Sequence, residues 1–280
     1  MKKSTWVVGM LVAFLVTFMI FLPIIVALPQ MFESKKMMFA YPFTFFPKEF
    51  TIENFSRLFY LQYTSAGVNY FTSLLMTILV SSLAVIFSLT INMLAAYAFA
   101  RLRFPLKKLI FGIMIVTMFI PGITILITSY RVVYLLGLLN TIFVLIIPGL
   151  ANAYNIFFFR QFFLGFPKEL DEAARIDGCS SVGIFARIYL PMSKTPAIII
   201  GASIFIGYYN SYLWPMMTID NEHKNLYQMM YLVRVLFSDS SSIGYGSVLA
   251  ATFIAMIPPL IVFVLMQKHI KDGIAMTGIK

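Results

Sequence analysis

The stretch Glu169–Pro196, ELDEAARIDGCSSVGIFARIYLPMSKTP, is a polar segment in an otherwise apolar chain. It carries charged residues of both signs, although only 11% of the 280 residues are charged and 60% are hydrophobic. A long apolar run lies on each side of it, Leu139–Phe159 before and Ala197–Met217 after. Because an average soluble domain is about half apolar, this composition predicts that lipid is the solvent for much of the chain surface.

Six apolar runs are long enough to cross a membrane as helices. The mean hydropathy is +0.89, and about 20 consecutive apolar residues span a hydrocarbon layer of about 30 Å. The first run is too long for a secretory signal and lacks a small-residue cleavage site, so we interpret it as a retained anchor. The sequence therefore predicts an all-helical integral membrane protein in a single domain, residues 1–280, with spans at 7–28, 70–100, 109–130, 139–159, 197–217 and 246–267.

The basic residues predict the orientation of these spans. With a cytoplasmic N-terminus, fourteen of the 21 Lys and Arg residues fall on the cytoplasmic side and seven fall outside. This excess fits the positive-inside rule, and the short loop Arg101–Lys108 contributes most strongly to it. Both termini and the loop 160–196 are then cytoplasmic. Topology and contact with anionic membrane lipid account for the net charge of +10, so nucleic acid is not expected as a partner.

The residue inventory also argues against several kinds of chemistry. The single cysteine, Cys179, cannot form an internal disulfide, and two histidines are too few for a metal cluster. Gly178–Gly183 has the glycine spacing of a phosphate-binding loop, but Ile184 and Phe185 replace the Lys and Ser/Thr that would hold phosphate and magnesium. We find no catalytic grouping of Ser, His and Asp. We therefore expect no enzyme activity in this chain, no cofactor and no metal.

The predicted spans contain neutral polar residues but no Asp or Glu. Ion-coupled carriers commonly use acidic residues near the membrane centre, so an uncharged solute, or energy supplied by another component, is favoured. Prolines at positions 23, 121, 148 and 258–259 are expected to interrupt four of the spans. The stretch GYYNSYLW at 207–214 suits sugar recognition, although such aromatics are also ordinary membrane-interface anchors. The candidate translocation-path residues are Asn92, Asn152, Asn155, Tyr209 and Asn210.

A stripe of small and polar residues recurs every four positions in the second span. Residues spaced in this way lie on one face of a helix, and small residues allow close helix–helix approach in lipid. The stripe indicates either packing inside the subunit or a face turned towards the translocation path or a partner subunit. Its members are Ala84, Ser88, Asn92, Ala96 and Ala100.

The polar segment is predicted to form two short helices joined by a glycine turn. Pro167 is a good helix-start residue, and the acids that follow it complement the positive end of a first helix. Gly178 is a natural stop for that helix. A second helix ends near Pro191 and has an apolar side formed by Val182, Phe185, Ile188 and Tyr189.

These residues resemble the cytoplasmic "EAA" loop of ABC importer permeases. The family pattern is Glu-Ala-Ala, three residues, Gly, nine residues and Ile-x-Leu-Pro, and it reads here as Glu172-Ala173-Ala174, Gly178 and Ile188-Tyr189-Leu190-Pro191. Asp177 and Phe185 match as well, whereas Cys179 stands where the family usually has a small residue such as Ala. The match lies in the loop that the basic residues independently predict to be cytoplasmic.

The resemblance implies that the helix around Leu170–Ile176 inserts into a cleft on a separate ATPase. Glu172 would form charge-assisted contacts there, Ala173 and Ala174 would permit close approach, and Gly178 would set the turn. The candidate ATPase-coupling residues are Leu170, Glu172, Ala173, Ala174, Asp177, Gly178, Phe185, Leu190 and Pro191.

Other fragments are similar to the second permease subunit of maltose-type carbohydrate importers. This likeness implies the type I importer core of six transmembrane helices in a bacterial inner membrane. It also implies a second permease subunit, two copies of a cytoplasmic ATPase and an extracytoplasmic solute-binding protein. The fragments are FTIENFSRLF at 50–59, AAYAFARLRFPLKK at 95–108, LNTIFVLIIPGL at 139–150, IFFFRQFF at 156–163 and HIKDGIAMTGIK at 269–280.

Two alternatives stay open. The same machine could carry glycerol-3-phosphate or another polyol, and a basic internal cavity would favour that cargo. An ion-coupled carrier or a channel is a different class, and both the acid-free spans and the coupling-loop pattern argue against it.

Overall fold

A computed structural model describes residues 3–42, 44–63 and 67–276 of the chain. Lys2 and residues 277–280, which entered the orientation and resemblance arguments, lie outside that range. The described residues form helices and connecting loops, and the strand-like contact that they contain is an isolated bridge between Glu33 and Phe50. The helical fold class is therefore confirmed for the described part of the chain.

Helices of very different lengths follow one another along the chain. Short 3₁₀ turns add to them at Arg57–Tyr63, Ile147–Gly149 and Lys224–Leu226, and Phe185–Tyr189 forms a π-helical turn. The α-helices are α1 Lys3–Gln30, α2 Glu53–Ser56, α3 Tyr70–Arg101, α4 Lys107–Thr117, α5 Gly122–Leu135, α6 Ile142–Ile146, α7 Ala153–Leu164, α8 Glu169–Ile176, α9 Ser181–Ile184, α10 Leu190–Met192, α11 Lys194–Tyr209, α12 Leu213–Thr218, α13 Met229–Ser238, α14 Ser240–Ile243 and α15 Tyr245–Met276.

Among the described residues, α1, α3 and α15 are each long and apolar enough to cross a membrane as one helix. Three further candidates are pairs of helices bent at a short break, and counting each pair as one span gives six. The bend is 108° between α4 and α5 and 47° between the α6 region and α7. The third pair bends by 81° between Ser181–Met192 and α11.

The prediction that prolines interrupt four spans is right at two places and wrong at two. Breaks occur at Pro121, just before α5, and around Pro148, just before α7. Helices α1 and α15 run without a break through Pro23 and through Pro258-Pro259. A proline alone removes one helical hydrogen bond and bends the helix, whereas Gly122 and Gly149 follow the other two prolines and add backbone freedom.

The chain divides into two compact units, of which the first comprises Met1–Phe71 and Leu232–Met256. Its loop after α1 is organised by the buried carboxylate of Glu33, which accepts backbone N–H bonds from Ser34, Lys48 and Glu49 at 2.8–3.1 Å. The buried Asn54 amide of α2 donates to two carbonyls of the same loop. The fragment 50–59 thus contains a short helix that is fixed to the loop by a buried side chain.

The second unit comprises Thr72–Tyr231 and Ile257–Lys280 and contains both candidate sites. Its core is aromatic and joins α3, α7, α11 and the polar segment through Tyr97, Phe159, Phe163, Tyr189 and Ile200. The small-residue stripe of α3 belongs to this interior, because Ala84, Ser88, Asn92 and Ala96 are all buried. Four of the five stripe residues are therefore packed inside the subunit, and Ser88 also lines the cavity described below.

One exposed turn of the second unit is fixed by polar side chains. Asn140, with a left-handed φ of 59°, donates its amide to Asp220 at 2.6 Å and accepts the Asp220 backbone N–H at 2.9 Å. His223 Nδ1 lies 2.8 Å from the same carboxylate. The hydrogen bond with His223, followed by the backbone N–H bonds of Glu222 and His223, holds the pKa of Asp220 below its usual value.

Candidate functional site

Helix α8 begins and ends with signals that its sequence contains. Glu169, Asp171 and Glu172 occupy the first turn, where negative charge complements the helix dipole. At the other end Gly178 has a left-handed φ of 77°, the Gly178 N–H donates to Arg175 O at 3.0 Å, and the Cys179 N–H donates to Ala174 O at 2.9 Å. This pair of bonds is the Schellman motif, which favours glycine at that position. The predicted helix and glycine turn are both present.

Helix α8 has an outer face and an inner face. We define the outer face as Glu169, Glu172, Ala173 and Ile176, all of which are exposed, with Ile176 at 87%. The inner face carries Asp171 and Ala174, and Ala174 is only 7% exposed because it packs into the aromatic core. The helix therefore presents acids and one small residue outwards while its back is attached to the subunit.

The chain after the turn returns to the core. The Ser180 hydroxyl caps α9 by accepting the Gly183 N–H at 3.1 Å, and the π-helical turn follows. Phe185 and Tyr189 of that turn are buried against Tyr97, with ring centroids 5.5 and 4.9 Å away. Ile188 is partly buried on the same side, but Val182 is 71% exposed, so its predicted place on the apolar side is wrong.

Two candidate coupling residues belong to the interior of the subunit. Ala174 and Phe185 are both buried in the aromatic core, and their assignment to ATPase coupling stays a prediction. Leu190 and Pro191 are exposed and line an apolar groove of about 740 Å³ together with residues of α3, α11 and α15. Of the remaining candidates, Leu170 is half-buried, and Glu172, Ala173, Asp177 and Gly178 are exposed.

A buried arginine at the end of α3 lies beneath the inner face of α8. The Arg101 guanidinium donates to the carbonyls of Phe163 and Phe166, and its Nε lies 3.5 Å from an oxygen of Asp171. The Tyr189 hydroxyl donates to that same Asp171 oxygen at 2.9 Å. In the sequence Arg101 contributes to the topology signal and to the similar fragment 95–108, and neither it nor Asp171 is among the candidate site residues.

The second candidate site is a cavity of about 650 Å³ among the broken helices α5, α6–α7, α11 and α12. No charged side chain lines it among the residues that the structure describes. Hydroxyl, amide and indole groups supply its polar lining, as carbohydrate recognition requires. These residues are Ser88, Ser129, Asn152, Tyr154, Asn155, Ser203, Tyr208, Ser211, Trp214 and Gln228.

The cavity contains two of the five candidate path residues. Asn152 and Asn155 line it, and the Asn152 side chain also caps α7 by accepting the Asn155 N–H at 3.1 Å. Asn92 is buried behind the wall, Tyr209 is buried in α11, and Asn210 is exposed without lining the cavity. These last three residues do not line the cavity, and their assignment to the translocation path stays a prediction.

Asn92 instead satisfies backbone groups at the break between α6 and α7. Its amide nitrogen donates to Leu150 O at 2.8 Å, and its oxygen accepts the Asn152 N–H at 2.8 Å. Backbone groups freed at a helix break need such partners in a membrane. Asn92 is a structural residue that shapes one wall of the cavity.

The residues that sequence reasoning missed are neighbours of those it named. Tyr208, one position before Tyr209, donates its hydroxyl to Ile146 O at 2.9 Å, and the Trp214 indole donates to Val144 O at 2.8 Å. Gly149 is needed at this place, because an added Cβ would collide with the Tyr208 hydroxyl. Periodicity could not distinguish Tyr208 from Tyr209, since the two differ only in which side of α11 they occupy.

Comparisons with known proteins agree with this geometry. The family described as "binding-protein-dependent transport system inner membrane component" matches residues 92–275. The sn-glycerol-3-phosphate transport system permease protein UgpE of Shigella flexneri serotype 5b is 29% identical over 91% of this chain and 90% of its own length. UgpE of Escherichia coli K12 has the same identity and coverage.

Solved structures share the fold. A bacterial ABC transporter involved in the import of the acidic polysaccharide alginate matches with a TM-score of 0.78 at 23% identity, covering 96% of this chain and 98% of that chain. A bacterial alginate ABC transporter in complex with an alginate pentasaccharide-bound periplasmic protein matches with a TM-score of 0.66 at 14% identity, covering 95% and 93%. The predicted importer-permease fold is confirmed, and the chain belongs to the family of binding-protein-dependent transport system inner membrane components.

Proposed function

We propose that this chain is the permease subunit of an ATP-driven importer that passes a neutral carbohydrate across a bacterial inner membrane. In this proposal it pairs with a second permease subunit and receives solute from an extracytoplasmic binding protein. ATP is hydrolysed by two copies of a separate cytoplasmic ATPase. Both termini and residues 160–196 lie in the cytoplasm, as the distribution of basic residues favours.

The single observation that carries the proposal is the two-faced construction of α8. Its outer face is exposed and holds Glu172 beside the small Ala173, which suits close, charge-assisted docking into a protein cleft. Its inner face is attached to the aromatic core through Ala174. A helix fastened on one side and free on the other can receive a push from a partner and pass it into the membrane unit.

The uncharged cavity supports a neutral cargo. Serine, asparagine, tyrosine and tryptophan side chains line it, and these groups hydrogen-bond hydroxyls or stack on sugar rings. A phosphate would be expected to meet Lys or Arg, because an unpaired anion is costly to place in a membrane interior. Glycerol-3-phosphate is the second candidate cargo, since relatives at 29% identity are named for its transport.

The substitution Glu172→Lys tests the coupling role of α8. It reverses one charge on the outer face and is expected to abolish binding-protein-dependent uptake while the subunit still accumulates in the membrane. The ATPase should co-purify with the unaltered chain and be lost from the variant. The matched control is Glu222→Lys, the same reversal at an exposed position between α12 and α13, which should leave uptake and co-purification unchanged. Normal uptake by Glu172→Lys would overturn the coupling role.

The cargo is tested separately with the solute-binding protein that supplies this importer. Its affinity for neutral oligosaccharides and for glycerol-3-phosphate is measured by calorimetry, followed by uptake into proteoliposomes. A neutral sugar should bind and be transported. Uptake restricted to glycerol-3-phosphate would replace the carbohydrate assignment and leave the coupling role standing.

A further inference from the structure

Arg101 makes its strongest contacts with the end of α7. Its Nη2 donates to Phe163 O at 2.8 Å and to Phe166 O at 2.5 Å. The last carbonyls of a helix lack partners within the helix, and a cation there also complements the helix dipole. The Arg101 side chain is only 7% exposed. It therefore fastens the C-terminal end of α7 to α3 through a desolvated charge.

The same cation reaches the inner face of α8. Asp171 Oδ2 lies 3.5 Å from Arg101 Nε and accepts the Tyr189 hydroxyl at 2.9 Å. The guanidinium also lies 5.5 Å from the centroid of the Tyr189 ring. Helices α3, α7 and α8 and the π-helical turn thus meet at one buried positive charge.

The opposite end of α7 is also fastened to α3. Asn92 binds Leu150 O and the Asn152 N–H, which flank the start of α7. Asn92 and Arg101 are nine residues apart on α3, a rise of about 14 Å along the helix axis. Helix α7 is therefore attached at its cavity end and at its α8 end to one continuous helix, so the pair is built to move as one body.

We propose that Arg101 is the positioning residue for energy coupling: it fixes α8 to the α3–α7 pair, so that a displacement of α8 moves the wall of the cavity. This inference rests on the proposed function, because it requires a partner that displaces α8. Arg101 does not touch the cargo or the partner in this scheme. It acts through Asp171 on one side and through the end of α7 on the other.

The test uses Arg101→Gln in the importer assembled with the subunits that co-purify with it. Amide hydrogen exchange of residues 169–176 is measured in lipid nanodiscs, and solute taken up per ATP hydrolysed is measured in proteoliposomes. We expect exchange at least about tenfold faster, the factor that corresponds to the loss of one charge-assisted hydrogen bond. Uptake per ATP should fall at least about tenfold while the ATPase remains bound. The matched control is Arg103→Gln, an exposed arginine in the same loop.

Milder variants keep the inference testable if Arg101→Gln does not fold. Arg101→Lys keeps the charge without the planar fork, and Tyr189→Phe removes only the hydroxyl. Both should show smaller changes of the same sign. Faster exchange with unchanged uptake per ATP would reduce Arg101 to a structural role and overturn the inference, as would no change in either readout. Failure of the proposed function would instead appear in the unaltered chain, as an importer that retains no ATPase.

Discussion

The two ends of α7 are attached to α3 by side chains that differ in charge. At the cavity end the fastening is the neutral amide of Asn92, and at the α8 end it is the charged guanidinium of Arg101. This difference matches the surroundings of the two ends, because the free-energy cost of a charge is high inside the membrane and lower near its edge. Polar bonding within the proposed transport path is therefore neutral, and the charges of this unit concentrate where a cytoplasmic partner is proposed to bind.

The first test of this difference between the two ends of α7 places a charge in the cavity. Asn155→Asp places a carboxylate in the uncharged lining and should lower uptake of a neutral solute by about tenfold or more, because the ion must be desolvated or attract counter-charge. The ATPase should still co-purify, the reverse of the result expected for Glu172→Lys. The neutral Asn155→Ser is the control. Loss of the ATPase from Asn155→Asp would mean that cavity and α8 are not separate sites.

The substitution Asn92→Leu tests the hydrogen bonds that attach the cavity end of α7 to α3. The substitution leaves the Asn152 N–H without its partner, whereas Leu150 O keeps the Ser88 hydroxyl, and it should lower the free energy of unfolding by about 1–3 kcal/mol. Thermal unfolding of the purified chain in detergent measures the change. Asn210→Leu, at an exposed amide, should stay within about 0.5 kcal/mol of the unaltered chain. Equal effects of the two substitutions would contradict the fastening role.

Substitutions in the turn after α8 test whether an effect on uptake comes from backbone strain or from the loss of coupling. At Gly178, φ is +77° and no atom lies within 4 Å of an added Cβ, so a substitution costs backbone strain alone. Gly178→Asn should cost about 1 kcal/mol and Gly178→Val more, because Asn tolerates the left-handed region and β-branched residues do not.

Gly137 provides the matched control for that turn. It has a φ of +66° and equally open surroundings, but it lies in the loop after α5. Gly137→Val should lower the unfolding temperature as much as Gly178→Val, while only the latter reduces uptake. Equal uptake by the two Val variants would argue against α8 as the coupling element.

The smallest expected effect is on the reactivity of Cys179. This half-buried thiol directly follows the α8 turn, so a docked ATPase should slow its labelling by maleimide severalfold. The control carries Cys179→Ser together with Glu222→Cys, whose labelling should not depend on the ATPase. Equal Cys179 rates with and without the ATPase would place the docking surface elsewhere.

Local signals were sufficient to predict the polar segment as two helices with a glycine turn. Acids in the first turn and Gly178 at the stop act within a few residues, and the Schellman bonds need nothing more distant. The broken helices can be predicted only in part, because Pro121 and Pro148 accompany breaks whereas Pro23 and Pro258-Pro259 lie inside unbroken helices.

The inner face of α8 could not be predicted from the segment itself. Asp171 and Glu172 are adjacent acids with the same local propensity, and contacts with Tyr189 and with Arg101, seventy positions earlier, hold Asp171 inwards. The role of Asn92 could not be predicted either. From the sequence, an amide inside a span is equally compatible with a place in the translocation path and with hydrogen bonds to backbone groups at a break in another helix. Polar contacts with residues distant in the sequence determine the roles of Asp171 and Asn92, and periodic spacing of residues does not reveal such contacts.

The π-helical turn at Phe185–Tyr189 has a consequence for how this segment can vary in length. Such a turn accommodates an extra residue within an otherwise α-helical path. Removing Ala186 would let an ordinary α-helix form in its place, and the side chains that follow would keep their directions. A one-residue deletion at this turn is therefore expected to preserve the bond between Tyr189 and Asp171 while it shortens the spacing of the EAA-type pattern.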